Sequence, residues 1–422
     1  MKILVFEDNK TANLSPVTLL RATFEIKAGI YTILEKITKI SEQNCEIFLN
    51  ARDILTDVLK EKYTLPVNEN KSGDYLFING KINFTRKAFK EIILTLEENT
   101  VLISGDSVIA AKPGKNLAEK VFQNARNNNN IFCTEDFSSL SKKEVKTEDG
   151  IFAFEYPWDL VKYTKEILTD DLKIYFNEHL SEVFTPSSNS VLSPDNILVS
   201  PSSKLYPNVV LDASSGDIAI DENAVIEPFT FVKGPVYIGK NVIVKAGTKI
   251  YGPCSIGIHS RVAGEISGTV FHGYSNKQHD GFIGNSYVCE FVNLGADTVT
   301  SNLKNNYSKI KSRFSSGDRQ YHTNMQFFGT VFGDHTKTGI NTMLNTGSII
   351  GIFTIIAGGG FPDKFIDSFT WYISGKLPAK YKISEALETA RVVMSRRDVE
   401  LTSAYEELVR EVYKSFLTES IV

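Results

Sequence analysis

Between Phe271 and Ser286 the chain reads FHGYSNKQHDGFIGNS and crowds His272, Lys277, His279 and Asp280 into one polar stretch. His279, one of six histidines among 422 residues, is the candidate catalytic base. An imidazole with an ordinary pKa of ~6.5 can take the proton from an attacking amine near neutral pH. The same spacing equally suits a surface histidine in a polar loop. Directly downstream, VNLGADTVTSNLKNNYS at 292–308 gathers Asn293, Asn302, Lys304, Asn305 and Asn306. With Lys277 these supply amide and ammonium donors suited to sugar hydroxyls and a phosphate. Asparagines also tolerate left-handed corners; Asn302 and Lys304 lie beyond the last repeat of their run, where a corner role explains them less well.

The element that must carry these residues is a repeat. Aliphatic residues recur every six positions at Ile220, Ile226, Val232, Ile238, Val244, Ile250, Ile256 and Val262. Four positions after the first seven of them sit Ala224, Thr230, Val236, Val242, Thr248, Cys254 and Ser260. Neither a 3.6-residue helix nor an alternating strand produces this period. It suits a coil of short flat strands meeting at tight corners, with one aliphatic residue per side filling the interior and a small one beside it. Stacked coils of this kind bury a continuous apolar column. The pattern resumes at Phe282, Val288 and Leu294 and again at Phe332, Thr338, Leu344, Ile350 and Ile356. The two interruptions, 264–281 and 300–331, are expected to leave the column as loops and to carry the binding function.

Residues 1–190 alternate strand-like pieces (2–6, 45–49, 75–80, 101–105) with helical ones (29–40, 51–63, 85–98), an order that predicts an open α/β sheet. FTPSSNSVLSPDN at 184–196 reads as a linker into a repeat domain over 191–378, and 379–422 as a helical segment that covers the end of the coil. A net charge of −4 gives no sign of nucleic-acid or acidic-membrane binding. Cys45, Cys133, Cys254 and Cys289 lack paired spacing and read as free thiols of a reducing cytoplasm. The opening MKILVFEDNK has no signal-peptide pattern and no stretch of eighteen apolar residues follows, so a cytoplasmic protein without membrane spans is expected.

The motifs GPVYIGKN (234–241), GYSNKQHDGFIGNS (273–286), VNLGADTVTSNLKNNYS (292–308), GDHTKTGINTMLNTG (333–347), PWDL (157–160) and NLSPVTLLRATFEIKAGIYTILEK (13–36) carry a resemblance. The chain resembles a divergent bacterial branch of the bifunctional UDP-N-acetylglucosamine pyrophosphorylase/glucosamine-1-phosphate N-acetyltransferases. The resemblance implies a Rossmann-like nucleotidyltransferase domain, then a left-handed parallel β-helix acting as acyltransferase, then C-terminal helices. It also implies a homotrimer that binds acetyl-CoA and a sugar 1-phosphate between neighbouring solenoids, and a nucleoside triphosphate with Mg²⁺ at the N-terminal domain. On the matching motifs His279 becomes the base, and Asn293 and Asn302 become sugar-contacting amides. The Gly358–Gly360 stretch is placed near the CoA site by the same analogy.

The chain also departs from that pattern. Phe282 stands where an aromatic hydroxyl is expected, and Tyr251 and Ser267 where an Arg and a Lys hold the sugar phosphate, leaving Lys277, Lys304 or Arg261 as substitutes. The loop after the first strand, EDNKTANLSP, has no glycine with which to cradle a triphosphate. Arg21 and Lys27 are the candidate replacement cations. The metal-holding Asp of the family is replaced by Lys81 in INGKI, with Asp106 as the stand-in. Three other readings stand beside the enzyme of nucleotide-sugar supply. One is a nucleotidylyltransferase using UTP, dTTP or GTP, with the solenoid as a trimerising scaffold. Another is a zinc hydratase using His259, His272 and His279. The last is a sugar-phosphate binding protein without turnover.

Overall fold

The computed structural model describes residues 1–41, 44–69, 73–179, 190–315, 317 and 319–418. The first strand, β1 (Lys2–Phe6), pairs in parallel with β2 (Glu46–Asn50) and β3 (Tyr75–Asn79). A short β4 (Ile82–Phe84) leaves this sheet to pair with β8 (Ile151–Ala153). The sheet itself continues through β5 (Thr100–Ser104), β6 (Ser107–Lys112) and β7 (Ser141–Glu144), in the order β2-β1-β3-β6-β5-β7. Because β6 runs antiparallel to both β3 and β5, the open α/β sheet is mixed.

Alternate residues of β1 serve two cores. Leu4 and Phe6 join Phe48, Phe77, Phe122 and Phe132, whereas Ile3 and Val5 face the helices on the other side. That two-sided burial explains the unbroken apolar run ILVF at 3–6. The helix Ile33–Ile40 begins with a capping box, Thr32 Oγ1 accepting from the Glu35 amide at 3.1 Å and Glu35 returning a bond to the Thr32 amide at 2.7 Å.

The repeat forms a parallel β-solenoid. Its strands stack into sheets with partners eighteen residues apart, Ile220↔Ile238↔Ile256 on one side and Ile226↔Val244↔Val262 on the next. Three six-residue sides therefore make one turn, and all eight rungs of the first run are fully buried. The 264–281 segment departs from expectation, because it stays within the coil. From Val262 the interior positions continue through Ile266, Phe271, Lys277 and Ile283, with Val262 registered against Lys277 and Ile266 against Ile283. Two sides are shortened at Gly264 (φ +77°) and Gly268 (φ +57°), where the missing Cβ permits a tighter left-handed bend. The hidden rungs lost the six-residue period, so the sequence read them as a loop. Phe282 is accordingly not a rung; its neighbour Ile283 is.

The second interruption does leave the column. The chain departs after Val299–Thr300, forms a hairpin between Lys311–Ser312 and Tyr321–His322, and rejoins at Thr330–Phe332 beside Tyr287–Val288. Of the expected linker, 184–189 lies outside the described residues, and Ser190–Leu192 already forms a strand of the first coil.

Along one corner a row of left-handed residues stacks ring on ring. His259, Tyr274, Phe291, His335, Phe353 and Phe369 follow one another at centroid distances of 4.4–5.5 Å, with planes within 18° of parallel. The C-terminal helices, Ile383–Ser395 and Ser403–Thr418, cover this corner, with Tyr413 set edge-on to Phe369. The two main parts share one continuous core, in which Phe24, Ile167 and Leu168 pack with Ala219, Tyr237 and Tyr287. No helix of the described residues is long and apolar enough to cross a membrane.

Candidate functional site

His279 lies exposed on the corner between the strands Asn276–Lys277 and Phe282–Gly284. What holds this corner is Lys277. Its side chain occupies an interior rung and is fully buried, and its ammonium donates to the carbonyl oxygens of His279 and, at 2.6 Å, Asp280. Burial pushes the Lys277 amine down to about 8, against the pull of Asp280 and Asp297. The structure thus corrects the reading of Lys277 as a cation for substrate, because the side chain is buried inside the coil and two of its protons go to the loop's own backbone. From outside, the Asp297 amide donates to the Asp280 carbonyl at 2.9 Å.

The sides flanking this corner carry the two amides. Asn293 accepts from Asn276 Nδ2 at 2.8 Å, within a polar row on adjacent coils, Arg261↔Asn276↔Asn293↔Lys337. The Lys337 amine at the end of the row is lowered to about 8 by burial, and its ammonium reaches the His335 carbonyl at 3.1 Å. On the next side, Asn302 donates to Asn285 Oδ1 at 2.8 Å. Lys304 sits apart on the excursion, 3.2 Å from the Lys309 carbonyl. The three histidines considered for zinc occupy different settings. His259 belongs to the ring stack, His272 bridges Glu290 (3.2 Å) and the Glu25 carbonyl (2.9 Å), and His279 faces outward.

In the N-terminal domain the ends of β1 and β3 converge on a charged cluster of Asp8, Asn79, Lys81, Ser107 and Glu155. Asn79 donates to Asp8 Oδ2 at 2.8 Å, and Ser107 donates to Glu155 Oε1 at 2.6 Å. Lys10 extends from the loop after β1 to the Asp106 carbonyl at 2.7 Å. Lys10, Asp106, Thr134 and Lys142 line an adjoining cavity of about 400 Å³. Asp106 therefore contributes a backbone oxygen at the edge of this site.

The other two sequence candidates lie elsewhere. Arg21 is buried against the solenoid, paired with Asp334 (2.5 and 3.0 Å) and Glu290 (3.1 Å), so it clamps the two domains together and is not a cation for nucleotide. Lys27 is buried beneath the Tyr237 ring, 5.4 Å from its centroid, beside an interdomain cavity of about 720 Å³. Sequence reasoning missed Asp8, Lys10, Asn79 and Glu155. The consecutive acids Glu7 and Asp8 at a buried strand end were the available signal.

The cluster also tests Mg²⁺. Lys81 stands between Asp8 and Glu155 with its ammonium 3.2 and 3.1 Å from their oxygens. A divalent ion needs those carboxylates free, so these residues do not fit one.

Residues 3–179 match the sugar nucleotidyl transferase family. The match spans the N-terminal domain and less than half of the chain. Over 372 residues the chain is 26% identical to a bifunctional sugar-1-phosphate nucleotidylyltransferase/acetyltransferase of Sulfurisphaera tokodaii, covering 80% of this chain and 87% of that protein. It is 22% identical over 363 residues to the bifunctional protein GlmU of Acaryochloris marina, covering 72% and 75%. AntD, an N-acyltransferase from Bacillus cereus solved with dTDP and 3-hydroxybutyryl-CoA, aligns with 53% of this chain and 96% of its own at 13% identity and a TM-score of 0.24. The chain is thus a transferase, similar along most of its length to these bifunctional proteins. Its cluster around Lys81 and its corner around His279 lie in different domains.

Proposed function

We propose that the chain supplies a nucleotide sugar in two steps. The solenoid transfers acetyl from acetyl-CoA to glucosamine 1-phosphate, and the N-terminal domain transfers uridylyl from UTP to the N-acetylglucosamine 1-phosphate so formed. The observation that carries the first step is the exposed imidazole of His279 on a corner stapled from within by Lys277, with Asn293 and Asn302 on the flanking sides.

The sugar amine attacks the thioester carbonyl, forming the amide C–N bond. His279 takes the proton lost by the nitrogen, and the C–S bond breaks to release the CoA thiol. Asn293 and Asn302 orient the sugar hydroxyls, and Lys304 lies within the excursion as a cation for the phosphate. A homotrimer that brings a neighbouring solenoid against this corner completes the site.

In the second step an oxygen of the sugar phosphate attacks the α-phosphorus of UTP, and pyrophosphate leaves. Lys10 and Lys142, which line the cavity of about 400 Å³, face the developing negative charge.

The deciding assay follows free thiol on mixing the protein with acetyl-CoA and glucosamine 1-phosphate. Thiol release that His279→Ala abolishes supports the reading. No release, while UTP and N-acetylglucosamine 1-phosphate still yield pyrophosphate, removes the acetyltransferase and leaves the solenoid a scaffold.

A further inference from the structure

Three acceptors from separate segments converge on one lysine at the open end of the N-terminal sheet. Lys81 follows β3 and is fully buried. Its Nζ lies 3.2 Å from Asp8 Oδ2, 3.0 Å from Ser107 Oγ and 3.1 Å from Glu155 Oε2. Ser107 and Glu155 accept hydrogen bonds from the ammonium, and Asp8 pairs with it by charge. The acceptors are themselves held in place. Asp8 takes the Asn79 amide at 2.8 Å on one oxygen and the Lys10 backbone N–H at 3.0 Å on the other, and Ser107 closes the ring by donating to Glu155 at 2.6 Å. With Glu155 31% exposed, the cluster opens to solvent only on that side.

Mg²⁺ would need these oxygens at about 2.0–2.1 Å in near-octahedral array. They are instead gathered at hydrogen-bonding distance around a nitrogen. Removing the lysine from between two carboxylates would leave both uncompensated, which is strongly unfavourable in a buried setting.

We propose that Lys81 is the resident cation of the N-terminal site: its ammonium occupies the position between Asp8 and Glu155 that a divalent metal would require, and it positions Ser107 and Glu155 beside the nucleotide cavity. The protein therefore binds no divalent ion through these carboxylates. The kinetic part of this proposal rests on the nucleotidyltransferase reading; the binding part does not.

The experiment titrates the full-length protein with Mn²⁺ alone and counts bound ion by electron paramagnetic resonance. Wild type and Glu155→Gln are expected to bind the same amount, and Lys81→Asp to gain one equivalent that a further Asp8→Asn substitution removes. One equivalent in wild type that Glu155→Gln weakens tenfold or more would overturn the proposal, and this comparison decides even where Lys81→Asp does not fold. With UTP and N-acetylglucosamine 1-phosphate, pyrophosphate release should rise with Mg²⁺ only until the nucleotide is complexed; a further rise that Glu155→Gln removes would also overturn it. Absence of pyrophosphate at every Mg²⁺ concentration sinks the nucleotidyltransferase reading instead, and the Mn²⁺ count still decides the role of Lys81.

Discussion

A general base contributes roughly 10²–10⁴-fold to a proton-transfer step. His279→Ala should therefore lower acetyl transfer by about that factor while leaving pyrophosphate release from UTP unchanged, both followed in one preparation. Lys277 permits a sharper separation of stability from positioning. It occupies an apolar rung between Val262 and Leu294, so Lys277→Leu restores the aliphatic column and should hold or raise the urea midpoint. The same change frees the His279 and Asp280 carbonyls that the ammonium holds. The corner loosens, and kcat for acetyl transfer should fall at least tenfold with the fold intact. A fall in both midpoint and kcat would mean that the lysine serves the fold alone.

At the scale of an element, the stacked corner offsets the strain of six side chains in the left-handed region. His335 is the polar member buried within it. Its Nε2 meets the Tyr405 hydroxyl at 3.1 Å, its Nδ1 has no partner among the described residues, and burial, with help from Lys337, holds its pKa well below the usual imidazole value. Below the unfolded-state pKa of ~6.5 the unfolded chain thus binds a proton that the folded chain refuses. Stability is then lost as pH falls, by at most about 1.4 kcal/mol per pH unit. Asp159 acts in the opposite sense, its carboxyl pushed up to about 6 by burial. For that reason the measurement is a difference. His335→Phe keeps the stack and removes the titration, so its urea midpoint relative to wild type should improve between pH 7 and pH 5.5.

For the whole molecule, the decisive contacts join segments far apart in sequence. Arg21 reaches Asp334 and Glu290, and the Tyr287 hydroxyl donates to the Lys27 carbonyl at 2.9 Å. Arg21→Met would strand the buried Asp334 carboxylate between the domains, while Glu290 keeps His272, and should cost about 3–5 kcal/mol of unfolding free energy, read by urea denaturation. Arg21→Lys keeps the charge but loses the forked geometry and should fall between. The same continuity of core predicts that the two domains unfold in one transition.

What could be read from the sequence was whatever repeats or acts locally. A column of uniform cross-section demands a side chain of one size at one interval, so the ladder from Ile220 to Val262 announced the solenoid, and the polar stretch after Asn276 singled out His279, which the structure leaves exposed on a corner. Where Gly264 and Gly268 shortened two sides, the interval broke and a piece of coil looked like a loop. Tertiary structure alone decided the roles of the cations. Arg21, Lys81 and Lys277 each carry the same charge in the sequence, yet one clamps two domains, one fills a carboxylate cluster and one staples a corner from inside. A charge is given its role by the acceptors that surround it. Here those acceptors come from as far away as position 334 for Arg21 and position 155 for Lys81, a distance over which no local pattern survives.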